Sequence, residues 1–267
     1  MREERITSGL SPEARAFYRV RAEETVTSTN TLLKQLAAEG APEGTVLAAA
    51  HQTAGRGRMG HSFYSPEGTG VYLSLLVRPG RPAAESVILT CLCASAAAAA
   101  CEETAGVASG SIGIKWVNDL MYRDRKIAGI LTEAGLAPDG NMAWAVIGIG
   151  FNLAPPKGGW PAEIGGIAGS LFEEAPDGAR ERLAAAFLSH FLPLYRQLSE
   201  RTFLSDYAAR QTVVGHRVAV LSGDEEIYTA EALGVDEDCR LLVRTEDGAV
   251  KALGSGDVRV RRREDET

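Results

Sequence analysis

The stretch IGIKWVNDLMYRDRKIAGILTEAG, Ile112 to Gly135, decides the fold class, because only a short polar turn, RDR, separates its two apolar runs. A third apolar run, Met142–Leu153, follows after the turn sequence PDGN. Connections this short join antiparallel neighbours, whereas parallel strands need a crossover of a dozen or more residues. The sequence therefore predicts three successive strands of a mostly antiparallel sheet, in an α+β protein and not a doubly wound one.

Helices are predicted before and after these strands. The segment TSTNTLLKQLAAEG (27–40) has cap oxygens at its start, a leucine face and a terminal glycine. Ser86–Thr104 is apolar on nearly every side, so we expect a buried helix, with its serine as the cap and Gly106 beyond its end. Gly178–Glu200 is amphipathic and predicts a helix bent at Pro193.

The character of the chain changes at about Val213. Short alternating runs follow, broken by SGDE, VDEDC, EDG and GSGD. Strands of even spacing with turn signals between them are typical of a small barrel. We therefore predict two domains, residues 1–212 and residues 213–267, the second a β-barrel of about five strands.

Composition narrows the classes of function. The chain has 267 residues, a net charge of -7 and 45% hydrophobic residues, as expected of a globular protein with a real core. An acidic balance argues against a protein that works on nucleic acid. The four cysteines are expected to be buried free thiols. The N-terminus lacks an apolar signal core, and the run Val87–Ala100 is shorter than the roughly 18 residues of a membrane span. A cytoplasmic protein is predicted.

The loop TAGRGRMGHSFYS, Thr53 to Ser65, contains the glycine spacing G-x-G-x-x-G. A dinucleotide-binding turn would lead into a helix, but here a proline turn and the predicted strand Val71–Val77 follow. A kinase loop would need a nearby strand lysine, and the first lysine downstream is Lys115. Glycines with Arg56 and Arg58 between them instead indicate a loop that closes over an anion, although a flexible surface turn is the alternative.

A second group of polar residues falls on the predicted hairpin. Lys115, Asn118, Asp119 and Lys126 would lie on its two strands. Taken singly, the lysine at 126 could be a solvated strand end and the Asn-Asp pair could merely shape a turn. The sequence GIGFN (148–152) ends an apolar strand with two glycines and an amide, as if a ligand lay against bare backbone.

Together these motifs resemble the biotin protein ligases, the family that activates biotin as an adenylate and transfers it to a protein lysine. The match runs from about Val26 onward. It includes TSTN, HQTAGRGRMGHSFYSPEGTGVYLSLLVRP, KWVNDLMYRDRKIAGILTEA and GIGFN, in the family's order and spacing. The resemblance implies a class II synthetase-like sheet flanked by helices and a C-terminal SH3-like β-barrel. Lipoate ligases share the fold but carry a glycine triplet at this loop.

The resemblance also implies site residues. Those assigned to biotin are Ser28, Thr29, Asn30, Gln52, Arg56, Gly57, Arg58, Lys126, Gly129, Gly148 and Gly150. Those assigned to the nucleotide are Arg56, Arg58, Lys115, Asn118, Asp119, Lys126, Asn152 and Trp160. The catalytic candidates are Lys126, Arg58 and Asp119. Mg²⁺ is expected to accompany ATP, and Asp119 is the candidate residue near this ion. Met59 and His61 depart from the family pattern, in which further basic residues are common, so phosphate contacts there are expected to be weaker or shared.

The expected partner is a biotin carboxyl carrier protein or the carrier domain of a biotin-dependent carboxylase. About 25 residues precede the first motif, too few for the helix-turn-helix domain that many members carry, so no DNA binding is expected. No membrane contact is expected, and the chain is predicted to be a monomer or a weak homodimer. Two alternatives stay open: a lipoate-type acyl ligase on the same fold, and a non-catalytic biotin-binding module.

Overall fold

The computed structural model of the protein describes residues 1–223, 225–255 and 259–262. Seven strands form the larger of its two sheets. In chain order they are β1 (Arg19–Val26), β2 (Thr45–Gln52), β3 (Gly70–Val77), β4 (Gly113–Lys115), β5 (Asp119–Tyr122), β6 (Arg125–Leu136) and β7 (Met142–Asn152). Their spatial order is β1-β2-β3-β7-β6-β5-β4. Only the β1–β2 pair is parallel, so the predicted mostly antiparallel sheet is confirmed.

Helices pack against this sheet. They are α1 (Glu3–Gly9), α2 (Pro12–Phe17), α3 (Thr29–Ala38), α4 (Ser86–Ala105), α5 (Ala162–Gly165), α6 (Ala179–Arg196) and α7 (Leu204–Ala209), with short 3₁₀ turns at Arg58–Gly60 and Ala83–Glu85. Helices α1 and α2 and strand β1 were not predicted from the sequence. Ser28 caps α3 by accepting from the Thr31 N–H, as expected. Pro193 lies inside α6, close to its C-terminal end.

One predicted strand is wrong. The run Ile112–Tyr122 forms two strands, β4 and β5, which pair antiparallel with Ile114 opposite Leu120. The chain reverses through the residues between Lys115 and Asp119. A further hydrogen bond, from the Ile130 N–H to the Asn118 carbonyl, ties this turn to β6. Three strands and a turn, not two strands, therefore present the polar residues of this region.

Helix α4 is the core helix of the larger domain. It is buried on nearly every side, as predicted, and Gly106 ends it with a φ of 66°. Ser86 is not its cap: Glu85 takes the N-cap position and makes no side-chain capping bond. Within the described residues one helical run, Ala83–Ala105, is long and apolar enough to cross a membrane. The expectation that the apolar run in this region is too short for a membrane span was therefore wrong. However, 72% of its apolar window is buried inside the protein, as in the core helix of a globular fold.

The cysteines match their expectation, since all four are free and buried.

The C-terminal residues form a second sheet. Its strands are β8 (Arg217–Ser222), β9 (Glu225–Val235), β10 (Leu241–Thr245), β11 (Val250–Leu253) and β12 (Arg259–Arg262), in the antiparallel order β11-β10-β9-β8-β12. The predicted count of five strands is confirmed. One hydrogen bond across the junction with the larger domain runs from Trp116 Nε1 to the Cys239 carbonyl (3.0 Å), and next to it, within the larger domain, the Tyr207 hydroxyl donates to the Val117 carbonyl (3.1 Å). This junction lies directly behind the turn between β4 and β5.

Candidate active site

A cavity of about 410 Å³ opens where strands β5, β6 and β7 meet the N-terminus of α3 and the glycine loop. It also reaches the C-terminal sheet, through Leu221 and Val260. Fourteen of the sixteen predicted site residues line it: Ser28, Thr29, Asn30, Gln52, Arg56, Gly57, Arg58, Lys115, Asn118, Asp119, Lys126, Gly129, Gly148 and Gly150. The fold therefore brings together residues spread along the chain from Ser28 to Gly150.

Two predicted nucleotide residues, Asn152 and Trp160, do not line the cavity. The Asn152 side chain is buried, and its amide donates to the Gly169 carbonyl at 3.0 Å. Trp160 is half-buried and packs edge-on against Tyr64, with ring centroids 6.4 Å apart. In this arrangement Asn152 holds the loop that carries Trp160, so both lie beside the cavity and not in its wall.

One wall of the cavity is a chain of hydrogen bonds that begins at α3. Gln52 Oε1 accepts from the Thr29 N–H (2.9 Å) and from the Thr29 hydroxyl (3.1 Å). Behind them, the fully buried Ser74 hydroxyl lies 2.7 Å from Thr29 Oγ1 and 2.6 Å from Asn30 Oδ1. Buried polar groups that are fully paired hold one geometry, so this wall presents a fixed pattern of donors and acceptors.

The opposite surface is bare backbone from β6 and β7. A Cβ at Gly148 would lie 1.9 Å from Asn30 Oδ1, and a Cβ at Gly150 would lie 2.5 Å from the Phe63 ring. A Cβ at Gly129 would likewise lie 3.2 Å from the Phe63 ring. A Cβ at these positions would collide with or crowd the Asn30, Phe63 and Lys126 side chains, so the glycines allow these side chains to approach the backbone of β6 and β7 closely.

A lysine and a carboxylate meet at the end of the cavity. Lys126 Nζ lies 2.7 Å from Asp119 Oδ1, and both side chains are about three-quarters buried. Asn118 Nδ2 donates to the same carboxylate oxygen at 3.1 Å, and Arg58 Nη1 donates to Asn118 Oδ1 at 3.1 Å. The four side chains form one connected polar group, with two cations around one anion.

The glycine loop is a folded turn. The Gly57 N–H donates to the His61 carbonyl (2.7 Å), and the Phe63 N–H donates to the Gly55 carbonyl (3.0 Å). Met59 adopts a positive φ of 53°, which a bulky residue takes only at some cost. Arg58 Nη2 also donates to the Ser255 carbonyl, so the loop reaches the C-terminal sheet.

Arg56 points to a different partner. Its Nη1 lies 3.1 Å from Glu133 Oε1, and Lys34 Nζ lies 2.6 Å from the same oxygen. Burial alone would raise the pKa of Glu133, but hydrogen bonds from Lys34 and Asn30 and the nearby positive charges hold that pKa below its ordinary range. Glu133 is therefore ionised at neutral pH.

Phe63, Ser74 and Glu133 are among the residues at or next to the cavity that were not predicted from the sequence. Phe63 lies within the quoted glycine loop, so its place beside the glycines was a signal that could have been read. Ser74 is a lone polar residue in the apolar strand YLSLLV, which is typical of a buried hydroxyl with a specific partner. Glu133 gave no signal, because a strand glutamate near a turn is most often solvated.

Groups of three or more His, Cys, Asp or Glu side chains that could hold a metal ion are absent from the described part of the chain. The carboxylate of Asp119 already faces Lys126. These residues do not make a metal site by themselves.

Comparison with known proteins agrees with this geometry. Residues 22–152 match the Biotin/lipoate A/B protein ligase family, and residues 213–261 match the Biotin protein ligase C terminal domain. The Bifunctional ligase/repressor BirA of Bacillus subtilis is 34% identical over 262 residues, which is 96% of this chain and 78% of that protein. The Biotin--[acetyl-CoA-carboxylase] ligase of Mycobacterium tuberculosis is 32% identical over 240 residues, 86% of this chain and 85% of that protein.

Solved structures give the same result. The biotin protein ligase from Aquifex aeolicus in complex with biotin and ATP superposes with a TM-score of 0.74 at 27% identity, covering 92% of this chain and 100% of that one. The fold is thus that of the biotin/lipoate ligase class. Within that class, this chain belongs to the biotin protein ligase family.

Proposed function

We infer that the protein is a biotin protein ligase that uses ATP to activate biotin as biotinyl-5'-adenylate and then transfers biotin to a lysine of a carrier protein. One observation carries this inference: Lys126, Arg58 and Asp119 converge with the Thr29–Gln52 wall on a single cavity. Relatives with this fold are named as ligases of the same kind, and one binds biotin and ATP. The residue roles below are part of the proposal.

In the first half-reaction a carboxylate oxygen of biotin attacks the α-phosphorus of ATP. The bond from that phosphorus to the bridging oxygen breaks, and pyrophosphate leaves. Two anions must approach each other, so cations fixed in a partly closed site lower the barrier. Lys126 and Arg58 are placed to do this, since each is held by a side chain at the end of the cavity. The Thr29 and Gln52 polar groups bind the ureido ring, and Gly129, Gly148 and Gly150 admit the bicyclic ring and the valeryl chain.

In the second half-reaction the neutral amine of the acceptor lysine attacks the acyl carbon. The bond from that carbon to the phosphate oxygen breaks, AMP leaves, and the amine loses a proton. Asp119 accepts this proton, because it is the carboxylate that borders the cavity beside Lys126. In the adenylate the biotin carboxylate has become an acyl phosphate, and its α-phosphate takes the place of Asp119 beside Lys126, which frees Asp119 for this role.

ATP brings Mg²⁺ with it. Magnesium in such sites keeps several waters and is held by the phosphates together with one or two carboxylates. Asp119 is the candidate among the cavity residues to contact this ion. Lys115 and Asn118 border the nucleotide side of the cavity, and we extend that side to Asn152 and Trp160 through the loop they share.

The acceptor is the carrier protein or carrier domain of a biotin-dependent carboxylase, as the name of the Mycobacterium tuberculosis relative supports. We propose a catalytic domain over residues 1–212 and a C-terminal domain over residues 213–267 that helps close the nucleotide side, since Ser255 contacts Arg58. The chain works in the cytoplasm as a monomer or weak homodimer. Its net charge of -7 favours no DNA or membrane contact.

The test is ATP–pyrophosphate exchange with biotin, with lipoate and with neither acid. Exchange with biotin alone is the expected result, because the pocket wall is polar where a ureido ring would sit. Exchange with lipoate alone would move the substrate and keep the reaction. A folded protein that exchanges with neither acid in the presence of Mg²⁺ would leave only a binding module and would refute the proposal.

A further inference from the structure

Glu133 lies outside the cavity wall but contacts both the glycine loop, at Arg56, and the hydrogen-bonded pocket wall, at Asn30. It sits on β6, with its side chain 20% exposed. Its Oε1 faces Lys34 Nζ at 2.6 Å and Arg56 Nη1 at 3.1 Å. Its Oε2 accepts from Asn30 Nδ2 at 3.0 Å. One carboxylate thus joins α3, the glycine loop and the pocket wall.

The link to the pocket wall is specific. The Asn30 amide donates to the Leu131 carbonyl (3.2 Å) and to Glu133, while its Oδ1 faces the Ser74 hydroxyl (2.6 Å). Every hydrogen-bonding group of that amide is therefore used. Since Asn30 Oδ1 also lies where a Cβ at Gly148 would clash, the carboxylate of Glu133 helps fix the depth of the pocket.

The link to the glycine loop is of a different kind. Arg56 is 46% exposed, so its pair with Glu133 is partly solvated and weak enough to exchange. Lys34 has 27% exposure and the shorter contact. If Arg56 leaves, Glu133 still faces one cation and keeps its pair. A carboxylate buried without any counterion is strongly unfavourable, and Lys34 removes that cost.

We propose that Glu133 is a positioning residue that holds the glycine loop through Arg56 while the site is empty and releases Arg56 to the phosphates when ATP binds. Lys34 is the permanent counterion that makes the release reversible. The restraint of the empty loop stands on the contacts of Glu133 alone. The transfer of Arg56 to phosphate rests on the proposed function.

Hydrogen exchange of the loop amides, residues 53–62, in the ligand-free protein tests the restraint. In Glu133→Gln the amide still accepts from Asn30 but no longer pairs with Arg56, so we expect loop exchange about two- to five-fold faster, the range for a partly exposed ion pair. In Lys34→Met, Arg56 is the only cation left for Glu133, so loop exchange is expected to slow. A matched control is Glu231→Gln, which breaks the ion pair of Glu231 with Arg244 on the C-terminal sheet.

Opposite changes in the two variants, with none in the control, support the proposal. Unchanged loop exchange in both, or the same change in all three, overturns it. Should Glu133→Gln melt at a much lower temperature, the Lys34→Met result decides alone, and faster exchange there overturns the restraint. Adding ATP and biotin should bring wild type and Glu133→Gln to the same protected level. If ATP and biotin fail to protect the loop amides of the wild-type protein, the proposed role of Arg56 is refuted and the ligand-free result still stands.

Discussion

Lys126 Nζ and Asp119 Oδ1 lie 2.7 Å apart across the neighbouring strands β6 and β5, so the central cation of the cavity is already paired before any substrate enters. In the mechanism we propose, the carboxylate of biotin and then the α-phosphate replace Asp119 as the partner of Lys126. This exchange would leave Asp119 without its cation, next to the place where the acceptor amine loses a proton. The proposal therefore assigns this one contact a part in both half-reactions.

Replacing Lys126 with alanine should lower the rate of adenylate formation by about 10²–10³, the scale for losing one preorganised donor. The measurement is biotin-dependent ATP–pyrophosphate exchange. Lys251→Ala is the control, because this lysine lies over the Tyr228 ring on the C-terminal sheet. Exchange at the wild-type rate in Lys126→Ala would contradict the assignment.

Asp119→Asn should separate the two half-reactions. The asparagine can still accept from Asn118 but cannot take a proton, so transfer to the carrier lysine should slow by roughly 10²-fold or more, the usual range for general-base loss. Pyrophosphate exchange should fall much less. The two rates are measured by exchange and by single-turnover transfer from preformed adenylate. Equal losses in both would show that Asp119 acts by placing Lys126 and not as the base.

Gly148→Ala should raise the Kd for biotin by at least ten-fold, because the new Cβ would lie 1.9 Å from Asn30 Oδ1 and Asn30 cannot move without breaking its bonds. Gly166→Ala is the matched control: no heavy atom lies within 4 Å of a Cβ there, and φ is −75°. Biotin titration by calorimetry gives the affinities. A variant at position 148 that binds biotin like wild type would place the ring elsewhere.

Glu102→Gln tests the ion pair that ties α4 to the segment before the C-terminal sheet. Glu102 Oε1 faces Arg210 Nη1 at 2.6 Å and also accepts from the Gly110 and Ile112 N–H groups. Removing the charge leaves Arg210 with Asp206 alone, so unfolding free energy should fall by about 3 kcal/mol at pH 7, the low end for breaking a buried pair.

The pH dependence of that loss follows from the pKa of Glu102. Burial would raise this pKa, but hydrogen bonds and the charge of Arg210 outweigh it and lower the pKa in the folded state. The stabilisation is complete above the unfolded-state value of about 4.3 and is lost as pH falls through the lower folded value. Urea unfolding at pH 7 and below pH 4 should show the two proteins converging in acid. Glu103→Gln, an exposed neighbour, should leave stability nearly unchanged.

Part of this protein could be derived from its sequence. The short turns RDR and PDGN required antiparallel neighbours, and β5, β6 and β7 are such neighbours. The apolar run of α4 and the capped start of α3 were readable for the same reason: local composition and spacing determined them. The reversal between β4 and β5 was missed, because the run Ile112–Tyr122 contains neither proline nor a turn glycine at that point.

The tertiary structure alone decided which of these residues meet. Lys34, Arg56 and Glu133 are far apart in the chain, and none belongs to a motif with the other two, so only the packing of α3 against β6 and β7 could place them on one carboxylate. Likewise the family resemblance implies that Asn152 borders the nucleotide, and only the folded structure shows that its amide donates to the Gly169 carbonyl. Sequence determined elements and chemistry, because these depend on neighbours along the chain. Contacts between residues that are distant in the chain depend on how whole elements pack. The contacts among the glycine loop, β6 and the C-terminal sheet therefore exist only in the folded protein.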